Sequence, residues 1–292
     1  MKRKWFIVLA GILLFFGLCS TVSRLRAPSY EGRPVTYWLK EVGSQSERDA
    51  STATKAIREI GTNALPVLLT LSRSKGGPDA LIQHLARIWP SIGSHTAEER
   101  RELAIDGFRS LGSMAEPVVP GLISNLSDPE LAMTAEQALA QIGSPAVNQM
   151  CQAMTNNDEN VRYNLANALS LLPLRESATG AVPTLLHHLH DPSWRVRGQV
   201  ADSLGTIGAA AEEVVPALVA MLNDQDYYPR TWSMIALGQF GAQAGAAVPA
   251  LSNAVSKGKS NSERSIALRA LKQIDPEAAR KISTDDDDGV RP

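Results

Sequence analysis

Between Val214 and Gly241 the chain reads VVPALVAMLNDQDYYPRTWSMIALGQFG, and its apolar positions recur three and four residues apart. Val215, Leu218, Val219 and Leu222 mark one face of a helix that opens on Val-Pro and stops at the turn signal Asn223-Asp224. Ile235, Leu237 and Phe240 mark a second helix, running from about Pro229 to Gly241. Two such helices cannot enclose their own apolar faces. They need neighbours of the same design on either side.

The neighbours are found by register. Taking Val-Pro as position zero, Val182 is followed by Gly208 and Val215 by Gly241, each 26 residues on. The same offset joins Val147 to Pro173, Val35 to Gly61 and Leu65 to Ser91. An Arg stands eleven residues before the closing position: Arg162, Arg197, Arg230 and Arg264. Asp or Asn stands six residues before three of those, as Asn156, Asp191 and Asp224. Three markers in one phase define a repeat.

The segments VPTLLHHLHDPSWRVRGQVADSLGTIG and VVPALVAMLNDQDYYPRTWSMIALGQFG resemble the HEAT repeat family, in particular the bacterial HEAT-like repeats also found in phycobilisome lyase proteins. The resemblance covers roughly residues 34 to 275 and implies an all-α, right-handed α-solenoid of helix pairs. The second helix of each pair would line the concave side. In that family the repeated polar residues tie successive turns and helix starts together. Asn156, Arg162, Asp191, Arg197, Asp224 and Arg230 are expected to form such a ladder of charge-assisted bonds.

About seven pairs are expected. They run from Pro34 to Gly61, Leu65 to Ser91, Glu116 to Gly143, Pro145 to Pro173, Ala181 to Gly208, Val214 to Gly241 and Ala247 to Asp275. In the second pair Leu65–Ser72 is joined to a helix over Asp79–Ile88 by a loop with Gly76, Gly77 and Pro78. Thr96 to Leu111 is an odd helix without a partner in the register, opened by a Thr96/Glu99 capping box and ended by Gly112. The pair closing at Gly143 has Ala132 where the Arg would stand. Tyr37 and Trp38 are expected to form an aromatic cap on the exposed end of the stack, with a binding feature as the alternative.

Ahead of the solenoid (34–283), Lys2, Arg3 and Lys4 precede an apolar run from Trp5 to Cys19, within a segment 1–26. Extended to Val22, it makes a helix of about 27 Å, just short of a bilayer core. Arg24 and Arg26 fit poorly after a cleavage site, so an uncleaved signal-anchor is favoured over a cleaved signal peptide. Basic residues ahead of the span place the repeats outside the cytoplasm, on a single-pass cell-membrane protein; secretion after cleavage is the alternative. Residues 27–33 read as a polar linker, and 284–292, with Asp285 to Asp288, as a disordered acidic tail.

The net charge of −1 argues against nonspecific nucleic-acid binding, and the two cysteines, Cys19 and Cys151, form no disulfide framework. No phosphate-binding loop, nucleophile elbow or cofactor motif occurs. His187, His190 and Asp191 are weak metal-ligand candidates at helical spacing, with His188 between them, but in the register they take ordinary surface or turn positions. Metal-binding members of the resembled fold use His-Glu pairs, and this chain has none. The expected function is therefore a membrane-tethered scaffold, not an enzyme, binding a protein or peptide without a cofactor. The alternative is an enzyme or enzyme accessory of the lyase-associated or metal-binding HEAT type. Positions two, five and nine after the Arg face the groove, including Asn164, Gln199, Trp232 and Ile235. Trp194 and Tyr227 share a rim position, and these six residues are the candidate partner contacts.

Overall fold

A computed structural model describes residues 28–76, 95–173 and 178–288. The expected membrane segment and the expected helix over Asp79–Ile88 lie outside these residues. The chain divides into two compact units, Met1–Leu111 and Gly112–Pro292.

In the first unit, the expected linker is partly ordered as a hairpin of strands β1 (Ser29–Tyr30) and β2 (Arg33–Pro34). Glu31 and Gly32, both at positive φ, supply the tight turn that a two-residue hairpin requires. The hairpin covers the start of α1 (Val35–Val42): the Trp38 indole donates to the Tyr30 carbonyl, and Tyr30, Tyr37 and Trp38 meet edge to face. Helix α2 (Glu47–Ile60) follows, with Ser46 accepting the Asp49 amide as its cap. Then come α3 (Leu65–Ser72) and α4 (Ala97–Leu111).

Helix α4, expected as an odd helix, packs in the manner of a second helix. Its capping box is present, with Thr96 N donating to Glu99 and Glu99 N to Thr96 Oγ1. It packs on α3, α2 and α1, as a second helix does. Gly107 lies so close to α3 and α1 that a Cβ there would meet Leu68 and Leu39 side chains. Arg101 stands eleven residues before Gly112, and its Nη1 donates to the Ser74 carbonyl just past α3. Among the described residues α4 thus packs on α3 as the later second helices pack on their first. A fixed offset from Leu65 missed it because 24 residues separate Ser72 from Ala97.

The second unit holds α5 (Val119–Ile123), α6 (Ala132–Ile142), α7 (Ser144–Ala153), α8 (Glu159–Ser170), α9 (Val182–His188) and α10 (Trp194–Ile207). It continues with α11 (Ala211–Met221), α12 (Tyr227–Phe240), α13 (Val248–Lys257), α14 (Asn261–Ile274) and α15 (Pro276–Asp288). Proline in the first turn opens α3, α5, α7, α9 and α13, where its missing N–H costs no helical bond. Helix α11 differs. It starts at Ala211, after Ala210 at φ 51°, so Pro216 sits inside it. Gly61, Gly112, Gly143, Gly208 and Gly241 all close second helices at positive φ, where a side chain would be strained.

Within the second unit the pairs follow in sequence order, and α8, α10, α12 and α14 each pack beside the next. Their shared apolar stripe is enclosed: Leu165, Val200 and Ala267 occupy one register position, Leu169, Leu204, Leu237 and Leu271 another, and all are fully buried. Gly205 on α10 and Gly238 on α12 share a position at which a Cβ would strike the next second helix. The apolar stretch Tyr227–Lys257 is long enough to cross a membrane, but it belongs to this packed core and is broken by non-helical backbone at Ala244. Helix α15 runs as far as Asp288, into the segment read as an acidic tail. Asp275 accepts the Glu277 and Ala278 amides at the start of α15.

Candidate protein-binding site

The repeated Asp and Arg residues set the framework on which the exposed face is carried. Arg162 grips both carboxylate oxygens of Asp191 at 2.7 and 2.9 Å, and its Nη1 donates to the Asn156 and Asn157 carbonyls. Arg197 repeats this on Asp224 at 2.8 and 3.0 Å, with Asp226 at 2.7 Å, and donates to the Asp191 and Pro192 carbonyls. Arg230 donates to the Asp224 and Gln225 carbonyls and to Glu263. Glu263 takes the last rung because the turn position there is Gly258, which has no side chain. Arg264 lies outside the ladder; it is exposed and bonds Asn261. Each guanidinium thus joins its own turn to the following repeat.

Asn156, Asp191 and Asp224 also accept the amide two residues on, closing a turn just before the next helix. Burial would raise the Asp191 carboxyl, but the Arg162 guanidinium and the Ser193 amide outweigh it and hold the group below its ordinary range. Asp224 is lowered in the same way, by Arg197 and the Asp226 amide against burial.

The candidate contact residues divide into two sets. Asn164 and Gln199 are half-buried and bonded within the chain. Asn164 Nδ2 donates to the Leu126 carbonyl at 2.7 Å, beside the repeat that lacks its Arg. Gln199 Nε2 reaches Asn167 Oδ1, and Asn167 donates to Glu136. Glu136 is buried on α6, and burial pushes its carboxyl up against the opposing Asn167 bond. Ile235 is half-buried. The second set is aromatic and open: Trp194, Tyr227 and Trp232 are 42%, 38% and 37% exposed. Tyr228, which the register analysis passed over, is the most open of them at 51%. Its ring stacks on Trp194 with centroids 5.0 Å apart and planes at 19°. Tyr227 meets Tyr228 edge to face and bonds Ser262 at 2.9 Å. Trp232 lies over Gly198, whose missing side chain leaves it room. Beside the ridge, Arg195 covers the Tyr163 ring and pairs with Glu159 at 3.6 Å.

His187, His188, His190 and Asp191 border an open pocket of about 410 Å³ with Arg162. His187 and His190 are exposed, while His188 contacts Asp191 at 3.4 Å and is lowered by burial. The Asp191 oxygens are already held by Arg162 and the Ser193 amide. Among the described residues no three His, Cys, Asp or Glu side chains form a metal-holding group. Cys151 is half-buried, and burial raises its thiol.

Residues 147–238, which contain the Arg162, Arg197 and Arg230 rungs, match the family model for HEAT repeats. This stretch is built of HEAT repeats. No curated protein matches the sequence. Among solved structures this chain is similar to the complex of CpcE and CpcF of phycocyanin lyase from Nostoc sp. PCC7120. That match has 19% identity and a TM-score of 0.48, over 53% of this chain and 98% of that one. It is also similar to Kap121p bound to Nup53p, at 12% identity and a TM-score of 0.51, over 86% of this chain and 30% of that one. Kap95p, solved with RanGDP, matches at 16% identity and a TM-score of 0.48, over 86% of this chain and 37% of that one. These are likenesses of fold. Tyr228 was legible in one respect: it stands four residues before Trp232, on the same face of a HEAT second helix.

Proposed function

We propose that the protein is a membrane-tethered binding scaffold whose second helices present a groove to a protein or peptide. The observation that supports this most is the open aromatic group of Trp194, Tyr227, Tyr228 and Trp232 on adjacent second helices. Large aromatic rings left in water on a stiff support are the residue types that anchor protein partners. The ladder beneath them fixes their spacing, so little ordering entropy is lost on binding. Kap121p, bound to Nup53p, is a fold of this kind engaged with a protein. Binding, rather than chemistry, is the role assigned to the face.

The tether is part of the proposal. Lys2, Arg3 and Lys4 ahead of the apolar run Trp5–Cys19 support a span with its amino end in the cytoplasm and the repeats beyond the membrane. Carbonate extraction and protease protection of the tagged full-length protein test the topology. Affinity capture from the native membrane tests binding: Trp232→Ala and Tyr227→Ala should each weaken capture while the circular dichroism spectrum is unchanged. Capture that survives both substitutions in a folded protein would remove this assignment of the face.

A further inference from the structure

We propose that the ridge of Trp194, Tyr228 and Trp232 takes a proline-rich segment in extended polyproline conformation; this deepens the binding reading above and rests on it.

Two helix-spaced pairs make the ridge. Trp194 and Gly198 stand four apart on α10, and Tyr228 and Trp232 four apart on α12. Trp194 stacks on Tyr228, and Trp232 lies against Gly198. The polar tips of these three rings are available. Among the described residues the indole N–H groups of Trp194 and Trp232 and the Tyr228 hydroxyl make no hydrogen bond, whereas the Trp38 indole is bonded to Tyr30 and the Tyr227 hydroxyl to Ser262.

The charges beside the ridge are already engaged. Arg195 lies over Tyr163 and contacts Glu159 and Asn160, and Asp226 is held by Arg197. An acidic segment laid here would be dehydrated against aromatic rings, and a basic one would find the neighbouring carboxylates Glu159 and Asp226 already paired to Arg195 and Arg197. The complementary partner is uncharged and offers acceptors with few donors. A run of prolines meets each condition. It has no backbone N–H, its carbonyls are not bonded within the segment, its rings pack on aromatic faces, and its conformation is set before binding. A carbohydrate also stacks on aromatic rings and its hydroxyls can accept from the two indoles, so chitohexaose is the competing ligand in the test.

Full-length protein in detergent is titrated into fluorescently labelled decaproline, with a labelled peptide of alternating alanine and serine as control. Decaproline should raise the anisotropy with a dissociation constant at or below about 100 μM and the control should not, as expected of a modest surface of preformed complementarity. Trp232→Ala and Tyr228→Ala should each weaken binding about tenfold or more, as loss of an anchor does. Trp232→Phe, which retains an aromatic ring and removes the N–H, should fall between them and wild type. The inference is overturned by decaproline failing to bind wild type, by equal binding of the control, or by chitohexaose binding at the ridge where decaproline does not. A native partner that is captured through Trp232 but has no proline run overturns this inference and leaves the scaffold reading standing. Capture indifferent to the ridge overturns both.

Discussion

Arg162 closes two parallel hydrogen bonds on Asp191, a residue 29 positions along the chain and in the next repeat. Both side chains are enclosed, at 10% and 1% exposure, so the pair acts as a clamp between repeats. Arg162→Leu should destabilise the protein by about 3 kcal/mol, because it leaves a buried carboxylate uncompensated. Adding Asp191→Asn, which can still accept the Ser193 amide, should recover at least about 1 kcal/mol. Arg264→Ala, on an exposed arginine outside the ladder, should change stability by less than about 0.5 kcal/mol. Urea denaturation followed by circular dichroism measures all three, and equal losses for Arg162 and Arg264 would show that the ladder holds nothing together.

Close approach of the second helices leads to a sharper contrast. A Cβ at Gly205 would lie 2.6 Å from the Ala236 backbone, and at that distance α10 and α12 have to separate. Gly205→Ala should therefore cost about 2 kcal/mol despite alanine's better helix propensity. Gly245→Ala is the matched control: nothing lies within 4 Å of a Cβ there, and its effect on the melting temperature should be near zero.

Much of this organisation was legible in the chain itself. Val-Pro starts, closing glycines and the Arg and Asp positions each answer a backbone or hydrogen-bonding demand that few residue types meet, so they recur by identity. Two features were not legible by that route. Helix α4 packs on α3, but 24 residues separate Ser72 from Ala97, and a fixed offset from Leu65 passed it by. The last rung uses Glu263, and nothing in the position of Gly258 says which neighbouring carboxylate will replace the missing one. The aromatic face was half legible. Trp194, Tyr227 and Trp232 followed from register, while the exposure of Tyr228 and its stack on Trp194 depend on how two helices are turned against each other.

Two buried carboxyls give pH dependences of opposite sign. Glu136 is raised by burial, so its charge opposes folding at neutral pH, and that penalty fades as pH falls through the raised value towards about 4.3, the unfolded value. Glu136→Gln should be more stable than wild type at pH 7, with the advantage vanishing in acid. Asp191 is held low by Arg162 and Ser193 despite burial, so its contribution is present above about 3.9 and is lost only as pH falls through the lowered value. Asp191→Asn should be less stable at pH 7, and its deficit should close only in that more acid range. Denaturation free energies collected from pH 7 downwards separate the two curves; a Glu136→Gln advantage that stayed constant into acid would contradict a charge origin.

The pairing of α4 with α3 has a direct energetic signature at Gly107 and Leu68. A Cβ on Gly107 would sit 2.3 Å from Leu68 Cδ2, so the two positions compete for the same volume. Gly107→Ala alone should cost about 2 kcal/mol as an overpacked contact, and Leu68→Ala alone about 3 kcal/mol as a cavity. In the double variant the new methyl enters the space the leucine leaves, and the combined loss should fall short of the sum by about 1 to 2 kcal/mol. Leu39 also borders the site, at 2.8 Å, so some cost of the alanine will remain in the double variant. A helix without a partner in the register would not oppose Leu68, and its glycine would behave independently. Strict additivity in this cycle would therefore return α4 to the status of an insertion.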